Sequence, residues 1–179
     1  MRFLAHGDLT DGAPLALDAV GGHQGMWVVE ECLDVAHSVS VQLEAAAPGT
    51  RVLVSGAMRT VHGSFTGYTS PLPRDCAHVV GELEEWGTRL GRHLAGLGYA
   101  GPFGLDALVT TGGDACASES NIRRTASTTP YAMVRRLTGA SPDTHPAWSV
   151  SKGRSQRSLG FVEVLEPGRT WPRLRSRAR

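Results

Sequence analysis

The sequence predicts an α+β fold: an antiparallel sheet with helices packed on one face. Three observations carry this expectation. Short runs such as Ser38–Leu43 (SVSVQL) alternate polar and apolar residues, as a half-exposed strand does. Val80, Leu83, Gly87, Leu90, Leu94 and Leu97 recur at helical spacing. Two further strand-like runs flank the pair Gly112-Gly113, a natural hairpin tip. With 179 residues, 41% of them apolar and 20% charged, the chain can bury one ordinary core.

The elements follow in order. Residues 1–25 carry no clear periodicity and are broken by Gly21, Gly22 and Gly25. Trp27–Leu33 reads as a buried strand running into a connector, and Ser38–Leu43 as the next strand. Thr50–Val54 follows the turn signal Pro48-Gly49. Residues 55–74, with their Gly, Ser, Thr and Pro, read as an irregular connection around short strands. Asp75 is a candidate N-cap for the long helix, Glu82, Glu84, Glu85, Arg89 and Arg92 form its wet side, and Gly98 stops it. Pro102–Thr111 and Asp114–Arg123 are the arms of the hairpin. Thr128-Thr129-Pro130 opens a second helix through Tyr131, Val134 and Leu137, ended by Gly139. Residues 26–140 thus form the folded lobe, and residues 141–179 a loosely ordered tail in which only Leu159–Leu165 resembles a strand.

Charge and cysteine usage exclude several classes. Residues 1–150 hold 10 Lys/Arg and 15 Asp/Glu, whereas residues 151–179 hold 8 and 2. The arginine-rich end reads as a solvated tail, so nucleic acid is not an expected partner. Cys32, Cys76 and Cys116 are far apart, which excludes a zinc ribbon and fits a reducing, cytoplasmic setting. The seven histidines show no HxxxH or HxH spacing, so a histidine-based zinc site is not expected. No stretch is long and apolar enough to suggest a membrane span, and there is no G-x-S-x-G elbow.

The hairpin is the most informative stretch. A two-residue Gly112-Gly113 loop would set Thr111 opposite Asp114 and, counting back, Asp106 opposite Glu119. Side chains so opposed have Cβ atoms roughly 4.5–5.5 Å apart. Two carboxylates that close repel unless a cation offsets them. Glu119, Asn121 and Arg123 are two apart and share that face, with Leu105, Val109, Cys116 and Ile122 expected on the other. The plain alternative is a solvated sheet face. Two carboxylates and an amide oxygen beside a fixed positive charge make instead a hard donor set of the kind that holds Mg²⁺ when nucleotide phosphates complete its shell.

With those residues in place, the chain resembles the C-terminal half of the ATP-grasp nucleotide-binding unit. Gly101-Pro102-Phe103-Gly104-Leu105-Asp106 is similar to the family's G-x-x-G-x-D, and Glu119-Ser120-Asn121-Ile122-Arg123 to its E-x-N-x-R. Upstream, Val28–Leu33 is similar to the strand and hinge that hold adenine. The resemblance covers roughly residues 27–140. It implies a carboxylate–amine ligase working through an acyl phosphate, with ATP and Mg²⁺ (or Mn²⁺) as cofactors and a carboxylate and an amine as substrates. It further implies adenine held at Glu30, Glu31, Cys32 and Leu33, with His37 where the family often places a ribose-binding carboxylate. Asp106, Glu119 and Asn121 would be the metal ligands, and Arg123 would stabilise phosphoryl oxygens. The glycine-rich loop and the lysines of the family's first half have no counterpart here. A truncated chain, a split enzyme whose partner chain supplies that half, and a non-catalytic nucleotide- or partner-binding domain are the corresponding expectations.

Overall fold

The computed structural model describes residues 31–47, 49–61, 64–141 and 144–152. It divides into two units, Met1–Asp34 and Val35–Arg179. Of the first, Glu31–Asp34 are described. They are irregular, with Glu31 and Cys32 exposed and Leu33 half-buried, so the expected buried strand does not extend through them. Trp27–Glu30 and Leu159–Leu165 lie outside the described residues.

Among its described residues the second unit has six strands and two α-helices. These are β1 (Val35–Ala46), β2 (Gly49–Val61), β3 (Ser64–Ser70), α1 (Val80–Gly96), β4 (Gly101–Thr110), β5 (Ala115–Asn121), α2 (Thr128–Thr138) and β6 (Trp148–Ser151). The sheet order is β5-β4-β1-β2-β3-β6. Every neighbouring pair is antiparallel. The α+β class is therefore as the sequence leads one to expect.

One face carries the larger core. Val39, Val41, Leu43 and Ala45 of β1 alternate with Ser40 and Gln42, and they meet Phe103, Leu105, Ala107 and Val109 of β4 and Leu83 of α1. Gly87 lets α1 approach closely, since a Cβ there would lie 2.7 Å from Leu43 Cδ1. The helix ends in a glycine-terminated turn: Gly98 has φ +84° and its N–H donates to Ala95 C=O at 3.0 Å. Leu97, at the end of the apolar stripe, is exposed.

The opposite face holds a second cluster. Leu53, Val54, Tyr68 and Trp148 pack there with Tyr131 and Val134 of α2. The helices are thus divided between the faces: α1 stays where expected, while the side chains of α2 cover the other side. Gly56 is what lets Tyr68 lie across β2, because a Cβ at Gly56 would be 2.6 Å from the ring.

Three local expectations differ from the structure. Residues 55–61 and 64–70 are not an irregular connection; β2 continues to Val61 and pairs with β1 on one side and β3 on the other. Asp75 is not an N-cap: a short 3₁₀ turn, Ala77–Val79, precedes α1, and neither segment has a side-chain cap. Within the stretch read as tail, Trp148–Ser151 forms β6. Its Trp148 ring lies 5.4 Å from that of Tyr68, and Arg59 donates to Val150 C=O at 3.3 Å and to Ser151 Oγ. One apolar anchor and a neighbouring arginine hold a strand that four residues of sequence do not announce.

Candidate functional site

The site face is the one opposite α1. Ser40 of β1 pairs with Asp106 of β4, which pairs in turn with Glu119 of β5. The acids are therefore opposed across two hydrogen-bonded strands, but by a route other than a two-residue turn. Thr110 N–H donates to Asp114 C=O at 2.9 Å and Gly113 N–H to Thr110 C=O at 2.9 Å, so the loop is Thr111-Gly112-Gly113, with Gly113 at φ +94°. A three-residue loop alone would put Asp106 opposite Ser118. A bulge restores the pairing: Ala107 faces Ala117 while Asp106 faces Glu119, leaving Ser118 as the extra residue. Cys116, expected on the far side, pairs with Leu108 and so shares the face of Asp106 and Glu119. Ile122, expected in the core, is exposed beyond the end of β5.

Asn121 joins the two acids. Its amide nitrogen donates to Asp106 Oδ2 at 3.2 Å, and its side chain is buried opposite Gly104. Glu119 is exposed. Arg123 lies past the strand end and is also exposed; its N–H donates to Asn121 C=O at 2.8 Å. Burial pushes the Asp106 carboxyl above its ordinary range. The Ser40 hydroxyl, donating to it, pulls the other way, Glu119 raises it further, and Arg123 lowers it. The same buried charge, added to burial itself, pushes the Tyr68 phenol up.

Behind the acids runs a buried hydrogen-bond chain that the sequence did not reveal. Thr125 Oγ1 donates to Gln42 Oε1 at 2.6 Å, and Gln42 Nε2 donates to Ser40 Oγ at 2.6 Å. Thr128 Oγ1 also donates to Gln42 Oε1, at 3.3 Å. Ser40 and Gln42 are each 1% exposed, although SVSVQL reads as half-exposed. Gly104 makes room for this chain, since a Cβ there would sit 2.9 Å from Gln42 Nε2. Polar residues at a strand's outward positions, coupled to a glycine on the neighbouring strand, are the signal that could have found it.

His37 is not brought to this group. It precedes Val39 by two residues, pairs with Val109, and lies on the α1 face, with Nε2 3.2 Å from Asp75 Oδ2. Glu31, Cys32 and Leu33 belong to the first unit, and Glu30 lies outside the described residues. The donor set of Asp106, Glu119 and Asn121 fits a hard divalent cation: two carboxylates and an amide, one carboxylate already disfavoured as a buried charge.

Comparison with known proteins decides the architecture. The chain superposes on the phosphoribosylaminoimidazole carboxylase ATPase subunit from Aquifex aeolicus with a TM-score of 0.55 at 16% identity, covering 76% of this chain and 45% of that one. The fold is that of an ATP-grasp lobe. N5-carboxyaminoimidazole synthetase from Staphylococcus aureus gives a TM-score of 0.51 at 11% identity over 67% of this chain and 35% of that one. An ATP-grasp superfamily protein from Archaeoglobus fulgidus gives 0.50 at 18% identity over 69% and 42%. The chain therefore spans less than half the length of each of these ATP-grasp proteins. No protein-family model matches the sequence, and no curated protein matches it. Among the described residues, no helix is long and apolar enough to cross a membrane.

Proposed function

We propose that this ATP-grasp lobe serves an ATP- and Mg²⁺-dependent ligation of a carboxylate to an amine. The supporting observation is the opposition of Asp106 and Glu119 with Asn121 bonded to Asp106, on a fold shared with ATP-grasp proteins. In this reading Asp106, Glu119 and Asn121 hold Mg²⁺ or Mn²⁺, which when bound neutralises charge on the transferring phosphoryl group. The substrate carboxylate attacks the γ-phosphate, expels ADP and becomes an acyl phosphate; the amine then attacks its carbonyl, phosphate leaves, the nitrogen loses a proton, and an amide results. Arg123, at the open end of β5, offers its guanidinium fork to phosphoryl oxygens. Glu30, Glu31, Cys32 and Leu33 hold adenine in this reading, as the sequence resemblance implies. His37 takes no part, because its imidazole faces Asp75 on the α1 side.

The Ser40–Gln42–Thr125 chain holds Asp106 in place, since its links are short hydrogen bonds and Ser40 and Gln42 are buried. Turnover also needs what the rest of an ATP-grasp enzyme provides, from further sequence or from a partner chain. Nucleotide binding without turnover is the second reading.

Calorimetric titration with Mg²⁺·ATP tests the site. Binding should be lost in Asp106→Ala and Glu119→Ala with the circular dichroism spectrum retained. Unchanged affinity in both variants would refute the assignment. ADP release that requires an added carboxylate and amine would separate turnover from binding alone.

A further inference from the structure

On the α1 face, away from the carboxylates, lies a second group of metal-ligating side chains. His37 Nε2, an Asp75 carboxylate oxygen and Cys76 Sγ all lie within 4.8 Å of one another. They come from two elements: the start of β1, and the turn that leads into the Ala77–Val79 helix. That turn is fixed by its own backbone, with Cys76 N–H donating to Pro73 C=O at 3.2 Å and Val79 N–H to Cys76 C=O at 3.3 Å. Cys76 is fully buried among Leu72, Val79 and the β1–β4 core. The Asp75 side chain is 69% exposed and His37 27%, so the group has a wall on one side and solvent on the other.

We propose that His37, Asp75 and Cys76 form a site for one divalent transition-metal ion of the zinc type. The donors are an imidazole nitrogen, a thiolate sulfur and a carboxylate oxygen, a softer set than the all-oxygen set at Asp106, and the two sites therefore select different ions. Zinc bonds of roughly 2.0–2.3 Å in a tetrahedron place ligand atoms about 3.3–3.6 Å apart. His37 and Asp75 already stand at 3.2 Å. Cys76 Sγ, now donating to Pro73 C=O at 3.6 Å, lies within 4.8 Å of both and completes the third side. Three protein ligands leave the fourth position, on the exposed side of Asp75, to water or to an exogenous group. The thiol proton leaves to solvent as the metal binds.

Chelator-treated full-length protein titrated with Co²⁺ tests the proposal without reference to nucleotide. Co²⁺ should develop a thiolate-to-cobalt charge-transfer band that saturates at one ion per chain, bleached by Zn²⁺ and untouched by excess Mg²⁺. Cys76→Ser should remove the band, whereas Cys32→Ser, Cys116→Ser and Asp106→Asn should keep it. Asp75→Asn changes only an exposed side chain and should weaken Co²⁺ binding about tenfold or more. Absence of the band in the unaltered protein, its persistence in Cys76→Ser, or undiminished affinity in Asp75→Asn would overturn the site. The last of these holds even if Cys76→Ser fails to fold.

Discussion

The two faces of the sheet use one strand for opposite purposes. Toward α1, β1 presents Val39, Val41 and Leu43, all fully buried in an apolar core. Toward the acids it presents Ser40 and Gln42, as deeply buried but satisfied by hydrogen bonds. On the first face, stability follows the area removed from water, at about 25 cal/mol per Å². On the second, each group gains little over its hydration in the unfolded chain and loses much if its partner goes. The apolar face holds the lobe together; the polar face holds one carboxylate in position.

Substitutions on each face should sharpen this contrast. The largest effect belongs to the apolar side. Leu83→Ala empties a fully buried position and should cost about 2–5 kcal/mol in urea unfolding, with Mg²⁺·ATP affinity of the folded fraction unchanged. Gln42→Leu should cost less, about 1–3 kcal/mol, because it removes the partner that the Ser40, Thr125 and Thr128 hydroxyls share. Unlike Leu83→Ala, it should also weaken Mg²⁺·ATP binding, because Asp106 loses its backing. If the two variants affect nucleotide affinity alike, the division between the faces is wrong.

The smallest effect concerns Asp106 and carries a sign. Its folded pKa lies above the ordinary value of 3.8. Between those two values the native state binds more protons than the unfolded chain, so stability falls as pH rises through the window. Asp106→Asn removes this buried charge. The variant should therefore be more stable than the parent at neutral pH without metal, and the gain should fade below the ordinary carboxylate range. Thermal melts at neutral and acidic pH check this, and an equal offset at both would contradict it.

Much of this was legible in the residues. The α1 stripe, the Gly98 and Gly139 stops and the α2 start follow from local patterns, whereas Asp106 faces Glu119 only because the bulge at Ser118 offsets a loop one residue longer than expected. Burial on both sides of β1 was not, because alternation reports that two faces differ, not that one is wet. His37 and Asp75 are 38 positions apart and meet only through the sheet, so no local spacing announces their pairing with Cys76. β6 escaped for a similar reason: Trp148 is anchored by Tyr68, a residue 80 positions earlier.

The extra residue at Ser118 reaches further than the hairpin it bends. Thirteen positions separate Asp106 from Glu119, and that interval suits both a tighter tip with straight arms and a looser tip with one kinked arm. The two arrangements share a motif yet differ in parity along β5, and Cys116 changes sides between them. Deleting Ser118 would straighten β5 and still leave Glu119 opposite Asp106, because Ala107 already faces Ala117; a residue added within the loop would change neither pairing.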